Sequence, residues 1–115
     1  MNETSFPKSV NVQEAAQILN VSQSKVTRLI EEQALIGMKV DGQLRIPAVL
    51  LKDGQIIPAL RGTLMLLSDL GLNNKESIDW LLTENEALNE TPLEALGKGH
   101  KAPVRRAAQL LAEIL

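Results

Sequence analysis

Two stretches near the start of the chain carry apolar residues at helical spacing. In the first, apolar positions recur at i, i+3, i+4 and i+7, the pattern of one buried helix face. They are Val12, Ala15, Ala16 and Leu19. Asn11 precedes this stretch and can cap a helix. Ser22, another N-cap residue, precedes the second stretch, whose apolar positions are Val26, Leu29, Ile30 and Ala34. The pattern predicts a second helix over about residues 22–34.

The residues around the junction of these helices are typical of a helix-turn-helix. Ala16 supplies a small side chain where the two helices would cross. Asn20 tolerates the left-handed conformation that such a turn requires. Val26 is an apolar, β-branched residue that can fix the second helix against the first. Two short helices joined by a short turn have this geometry, and a plain antiparallel helix pair is the alternative.

The next segment has the pattern of a single two-stranded β-hairpin over about residues 38–46. Asp41-Gly42 lies between two short apolar runs and is a common turn sequence. A two-residue loop would mix polar and apolar partners, for example by pairing Lys39 with Leu44. A three-residue loop would pair Val40 with Leu44 and keep apolar residues together. Because strand register follows the buried face, we expect the three-residue loop.

The expected register has a consequence for charge. It places Lys39 beside Arg45 on the exposed face, and neighbouring like charges repel each other slightly. A phosphate lying across both cations would remove this repulsion, as in a wing that contacts DNA. An exposed hairpin with incidental cations is the alternative.

From about residue 58 onward the pattern indicates successive helices. Leu60, Leu64, Leu67 and Leu70 recur on one face, and Gly71 is a typical residue for ending that helix. Two later segments have the spacing of a capping box, namely Asn73 with Glu76 and Thr91 with Glu94. Pro103 is expected to open the last helix.

Composition agrees with a mainly α fold. Of the 115 residues, 44% are hydrophobic but only 2% are aromatic, so the core must come from aliphatic side chains. Strands are usually richer in aromatic and β-branched residues. We therefore predict a winged helix-turn-helix with one β-hairpin wing over residues 9–57, followed by a helical C-terminal domain over residues 58–115.

The candidate chemistry favours binding over catalysis. The chain has no cysteine, and His100 is its one histidine, so neither a histidine pair nor a thiolate can hold a metal. No glycine-rich phosphate loop is present. We expect no catalytic residues, no metal and no cofactor. The start is polar and no apolar run approaches about 18 residues, which predicts a cytoplasmic protein without a membrane span.

Polar and basic side chains on the second helix and the hairpin suit duplex DNA. Hydroxyl groups near a helix N-terminus can bind phosphate oxygens. Gln23 can read adenine, and Lys25 or Arg28 can read guanine. The hairpin cations would lie against the backbone or minor groove. The candidate DNA-binding residues are Ser22, Gln23, Ser24, Lys25, Thr27, Arg28, Lys39, Gln43 and Arg45.

The net charge of −2 is low for a DNA-binding protein. The distribution of charge matters more than its sum, and an acidic run in the second half is followed by basic residues. A second phosphate patch is therefore a candidate, with ordinary helix-end charge as the alternative. Its members are Arg61, Lys98, Lys101, Arg105 and Arg106.

These elements resemble a family of small actinobacterial winged helix-turn-helix proteins, in which an excisionase-like or MerR-like domain precedes a helical C-terminal domain. The resemblance covers about residues 9–112. In the first half its carriers are Val12-Gln-Glu-Ala-Ala, Asn20-Val-Ser and Asp41-Gly-Gln-Leu-Arg-Ile-Pro47. In the second half they are Leu60-Arg-Gly-Thr-Leu, Asp69-Leu-Gly-Leu, Trp80-Leu-Leu-Thr, Thr91-Pro-Leu-Glu-Ala-Leu96 and Arg105-Arg-Ala-Ala-Gln109. It implies binding of double-stranded DNA, as expected of a transcriptional regulator.

The second half also resembles the toxin-binding domain of some antitoxins, through Trp80-Leu and Thr91-Pro-Leu-Glu. That resemblance implies an antitoxin-like or adaptor protein whose C-terminal helices bind a partner protein. The apolar residues near the end of the chain could also pair with a second copy, giving a homodimer, or complete the core of the monomer. They are Leu110, Leu111, Ile114 and Leu115.

Overall fold

The computed structural model describes residues 6–115 and is mainly helical, as expected. It divides into two compact units between Ile56 and Ile57, which we call the head and the tail. The head contains strands β1 (Ser9–Val10), β2 (Met38–Val40) and β3 (Gln43–Pro47), helices α1 (Val12–Leu19) and α2 (Gln23–Glu31), and a 3₁₀ segment (Ala48–Gly54). The tail contains helices α3 (Leu60–Asp69), α4 (Asn74–Leu82), α5 (Pro92–Gly97) and α6 (Lys101–Leu111).

Helices α1 and α2 form the expected helix-turn-helix. Asn20 ends α1 in the left-handed region, with φ 59° and ψ 47°, a conformation that asparagine adopts more readily than most residues. Ala16 is 6% exposed and Val26 is fully buried, so the small residue and the β-branched residue both lie in the core. The side chains of Asn11 and Ser22 cap α1 and α2 by accepting backbone N–H bonds.

Helix α2 is shorter than predicted. It ends at Glu31 rather than near residue 34, and Gln33 then turns the chain with a φ of 62°. This turn carries Leu35 and Ile36 into the core, where they are 1% and 7% exposed. The apolar run in which they lie continues the helical pattern, so periodicity alone does not mark the end of the helix.

The sheet of the head has three antiparallel strands in the order β1-β3-β2, so the prediction of a single two-stranded hairpin was incomplete. In the additional pair, Ser9 lies opposite Pro47 and Val10 opposite Ile46. A strand of two residues is too short to show the alternation by which a strand is recognised in a sequence.

The predicted hairpin register was wrong. The loop between β2 and β3 contains only Asp41 and Gly42, and Lys39 lies opposite Leu44. Both loop residues have a positive φ, 53° and 82° respectively. Positive φ at both positions is the signature of a type I′ turn, whose twist matches that of the flanking strands. The turn therefore determines the register.

Packing explains why a register that pairs polar with apolar residues is stable. Ile46 is fully buried although no apolar side chain of β2 lies opposite it. Gly37 occupies the neighbouring position instead, where a Cβ atom would lie 2.7 Å from the carbonyl oxygen of Arg45 and 3.1 Å from Cγ1 of Ile46. The glycine leaves space that the Ile46 side chain occupies, so the apolar pairing expected across the hairpin is not needed.

In the tail, α3 packs against α4 and α6, and α5 packs against the same two helices. Its buried residues include Leu60, Leu64, Leu67, Ile78, Leu81, Val104 and Ala108. The predicted capping boxes at Asn73 and Thr91 are both present.

Helix α6 begins at Lys101, two residues before the predicted start at Pro103. Proline fits in the first turn because backbone N–H groups there have no partner within the helix. No helix among residues 6–115 is long and apolar enough to cross a bilayer.

Candidate nucleic-acid interface

The exposed face of α2 is set by its buried residue, Val26. Successive residues of an α-helix are rotated by about 100°, so Ser24, Arg28 and Glu31 point away from Val26, with Thr27 beside them. All four are exposed. This stripe was expected from the periodicity, except that Glu31 belongs to it as well. A carboxylate at this position can accept a hydrogen bond from cytosine but repels phosphate.

The N-terminus of α2 is partly occupied by its own capping bonds. The Ser22 hydroxyl accepts the backbone N–H of Lys25 at 3.0 Å, which leaves its own hydrogen available to a phosphate oxygen. Gln23 and Ser24 are exposed beside it. The Thr27 hydroxyl donates to the carbonyl oxygen of Gln23 at 3.2 Å. Thr27 can therefore donate to a phosphate only by giving up that bond.

The two hairpin cations lie on opposite faces of the sheet, because adjacent residues of a strand alternate. Lys39 lies across from Leu44 and is exposed, whereas Arg45 is the next residue along β3 and is half-buried. The predicted pair of cations beneath one phosphate is therefore absent. Gln43, exposed at the start of β3, lies next to the turn.

Arg45 is bound to the first strand. Its Nε donates to the Ser9 hydroxyl at 3.0 Å, and its Nη2 donates to the Ser9 carbonyl oxygen at 2.9 Å. These bonds join β1 to β3 across 36 positions of sequence. Ser9 was not among the predicted residues, since nothing in a local pattern links it to Arg45.

The cations of the head have no acidic partners within the described residues. Over residues 6–56 the structure contains no ion pair, although Glu31 and Glu32 follow Arg28 at the end of α2. Lys25, Arg28 and Lys39 are all exposed. Positive charge on α2 and on the hairpin is therefore available to an anionic ligand.

One member of the second predicted patch already has an acidic partner. Lys98 Nζ lies 2.7 Å from Oε1 of Glu90, and this hydrogen bond and charge raise the pKa of Lys98. Arg106 lines a groove, and Arg61 lies on α3. Lys101 and Arg105 lie one turn apart on α6, and both are exposed.

Comparison with known proteins decides the family. Residues 7–51 match a family model described as "DNA-binding protein Rv2175c, wHTH domain". Residues 57–112 match a second model, described as "Rv2175c C-terminal domain of unknown function". The chain is also 31% identical over 110 residues to "DNA-binding protein Rv2175c" of Mycobacterium tuberculosis, covering 84% of this chain and 75% of that protein. This chain belongs to the Rv2175c family.

The solved fold of the family agrees with the structure. The solution structure titled "NMR structure of Rv2175c" superimposes with a TM-score of 0.77 at 27% identity, covering 93% of this chain and 83% of the other. The expected family, a winged helix-turn-helix followed by helices, is thereby confirmed. The tail matches a model of unknown function, so its partner-protein role stays a prediction.

Proposed function

We propose that this member of the Rv2175c family binds double-stranded DNA through α2 and the β2–β3 wing, and acts in the cytoplasm as a transcriptional regulator. The observation that carries the proposal is the set of exposed cations Lys25, Arg28 and Lys39, which have no acidic partner among residues 6–115. Two of them lie on the second helix of a helix-turn-helix that is capped by Ser22. The relative from Mycobacterium tuberculosis is named a DNA-binding protein.

In the proposed complex, α2 enters the major groove with its exposed stripe toward the bases. Arg28 lies at the centre of that stripe and can form two hydrogen bonds with guanine. Ser22 and the N-terminus of α2 lie near phosphate, where backbone N–H groups and the helix dipole favour an anion. Gln23, Ser24 and Lys25 flank them. The Thr27 hydroxyl donates to the carbonyl oxygen of Gln23, so toward DNA it acts as a hydrogen-bond acceptor.

In the proposed wing, Lys39 provides the phosphate contact and Gln43 lies beside it at the turn. Arg45 holds β3 to Ser9 and so keeps the wing in place. Within the tail, Lys101 and Arg105 form the part of the second patch that could add a phosphate contact.

Salt dependence tests this function directly. Each phosphate contact releases counterions, so the affinity for a labelled duplex should fall with a logarithmic slope of about −0.9 per contact. Two or three contacts from the head predict a slope between about −2 and −3. Fluorescence anisotropy at several salt concentrations measures the slope, and a single-stranded oligonucleotide of the same sequence is the control. Binding that ignores salt, or that is equal for both oligonucleotides, would contradict the proposal.

A further inference from the structure

The tail contains a groove between α6 and the turn over residues 85–90. The groove has a volume of about 420 Å³. Its apolar lining includes Leu88, Pro103 and Leu110, and Leu110 is 53% exposed. A leucine exposed to this extent in the lining of a groove is a candidate contact residue, because its burial would remove a large apolar area from water.

Two residues of opposite charge line this groove. Both Arg106, on α6, and Glu113, in the turn that follows α6, line it, and they lie seven residues apart in the sequence. Leu110 lies near the midpoint between them. If a second α6 crosses the first in the antiparallel direction at Leu110, each Arg106 faces the Glu113 of the other copy. The groove is therefore complementary to itself, which is what a two-fold interface requires.

The opposite wall of the groove adds to this complementarity. Glu84 and Glu86 are exposed next to the lining residue Ala87, whereas α6 presents Arg106. A second copy places its basic helix toward this acidic wall. The same wall would repel a nucleic acid or an anionic membrane.

We propose that this groove is the interface of a symmetric dimer of the chain, formed by α6 against α6 with Leu110 at the two-fold axis. The dimer follows from the tail alone and does not depend on the function proposed for the head. If the head binds DNA, the dimer carries two reading helices, as paired half-sites require. One helix pair buries less area than a typical stable interface, so the association should be concentration-dependent.

Sedimentation velocity on the full chain, at concentrations from about 1 to 200 μM, tests the proposal without DNA. We expect the wild type to shift from monomer toward dimer. Arg106→Glu replaces attraction with repulsion at two symmetry-related places, and should weaken association about fivefold or more. Glu113→Arg should do the same. The double variant Arg106→Glu/Glu113→Arg restores both pairs and should return the dissociation constant to within about twofold of the wild-type value.

Two controls separate the groove from general surface effects. Arg105→Glu makes the same charge change on the same helix, one residue away from the groove, and should leave the dissociation constant unchanged. Leu110→Ser should weaken association about tenfold or more, whereas Met65→Ser, at a residue 45% exposed on α3, should not. Circular dichroism and thermal unfolding verify that each variant is folded.

Three results would overturn the proposal. The first is a wild type that stays monomeric over the whole range, including the case in which a different protein binds the groove. The second is a double variant that associates no better than either single variant. The third is an Arg105→Glu variant as weak as Arg106→Glu.

Discussion

The head and the tail carry the same number of basic residues, six each, but pair them differently. In the tail, Lys75 and Lys98 each form an ion pair of 2.7 Å, with Asp79 and Glu90 respectively. Over the described residues of the head no such pair exists. Equal numbers of cations therefore leave more of them without an acidic partner in the described part of the head than in the tail. A cation that a carboxylate of the same protein already neutralises attracts an anionic ligand less strongly.

This difference also bears on the acidic composition. A net charge of −2 would argue against nucleic-acid binding if charge acted as a sum. The potential at a surface depends on the arrangement of charges, and it is screened beyond about 10 Å at moderate salt. The sum of charges alone therefore does not decide whether the exposed cations of α2 bind an anion.

The largest expected effect is at Arg28. Arg28→Ala should weaken binding to the preferred duplex by about 1–3 kcal/mol and relax the preference at one base pair, if the guanidinium reads a guanine. Selection from a random duplex library, followed by titration, measures both changes. Arg105→Ala, the same substitution at an exposed arginine of the tail, should cost far less. Equal losses would show that the tail shares the interface, and the contrast between the two units would fail.

The two cations of the wing should differ in their effect on DNA binding, and both effects should be smaller than that of Arg28. Lys39→Ala should weaken binding to all duplexes alike and reduce the magnitude of the salt slope by about one, as expected for one phosphate contact. Arg45→Ala should leave the salt slope unchanged, because its guanidinium is bound to Ser9. Anisotropy titrations of both variants against one duplex measure the slopes. A reduced slope for Arg45→Ala would instead assign this arginine to DNA.

The structural role of Arg45 gives a prediction of its own. Loss of its two charge-assisted hydrogen bonds should lower the free energy of unfolding by about 1–2 kcal/mol. Ser9→Ala removes only the bond from Nε, so it should lower that free energy by about half as much. Urea denaturation of the full chain provides the measurement. Lys39→Ala, at an exposed residue of the same hairpin, is the matched control and should have no such effect.

Much of this fold could be predicted from the sequence because it depends on contacts between residues that are close together in the chain. Capping residues such as Asn11, Ser22 and Thr91 act over three positions, and Asn20 fixes the turn through its own backbone preference. The exposed stripe of α2 follows directly from the burial of Val26. These features were predicted because both partners lie within one or two helical turns of each other.

Long-range contacts explain what the sequence could not reveal. The pairing of β1 with β3, and the bonds between Ser9 and Arg45, join residues far apart in the chain. The hairpin register follows the turn at Asp41 and Gly42 and not the alternation of apolar residues. The space left by Gly37 shows why alternation did not decide it. The ion pair of Lys98 likewise depends on Glu90, a residue outside the predicted basic patch.

The smallest expected effect concerns Lys98 and tests whether its ion pair contributes to the stability of the tail. Glu90 raises the pKa of Lys98 above its ordinary value of 10.5. The folded chain thus holds this proton more tightly than the unfolded chain, so the pair stabilises the tail below pH 10.5 and loses that effect as the pH rises through the raised pKa.

Thermal unfolding should place Lys98→Gln about 1–2 °C below the wild type from pH 7 to 10, and the gap should close at higher pH. Lys101→Gln, at an exposed lysine of α6, should show no such gap. Because Lys98 is already paired, Lys98→Gln should also leave DNA affinity unchanged, and a loss of affinity would return this lysine to the proposed phosphate patch.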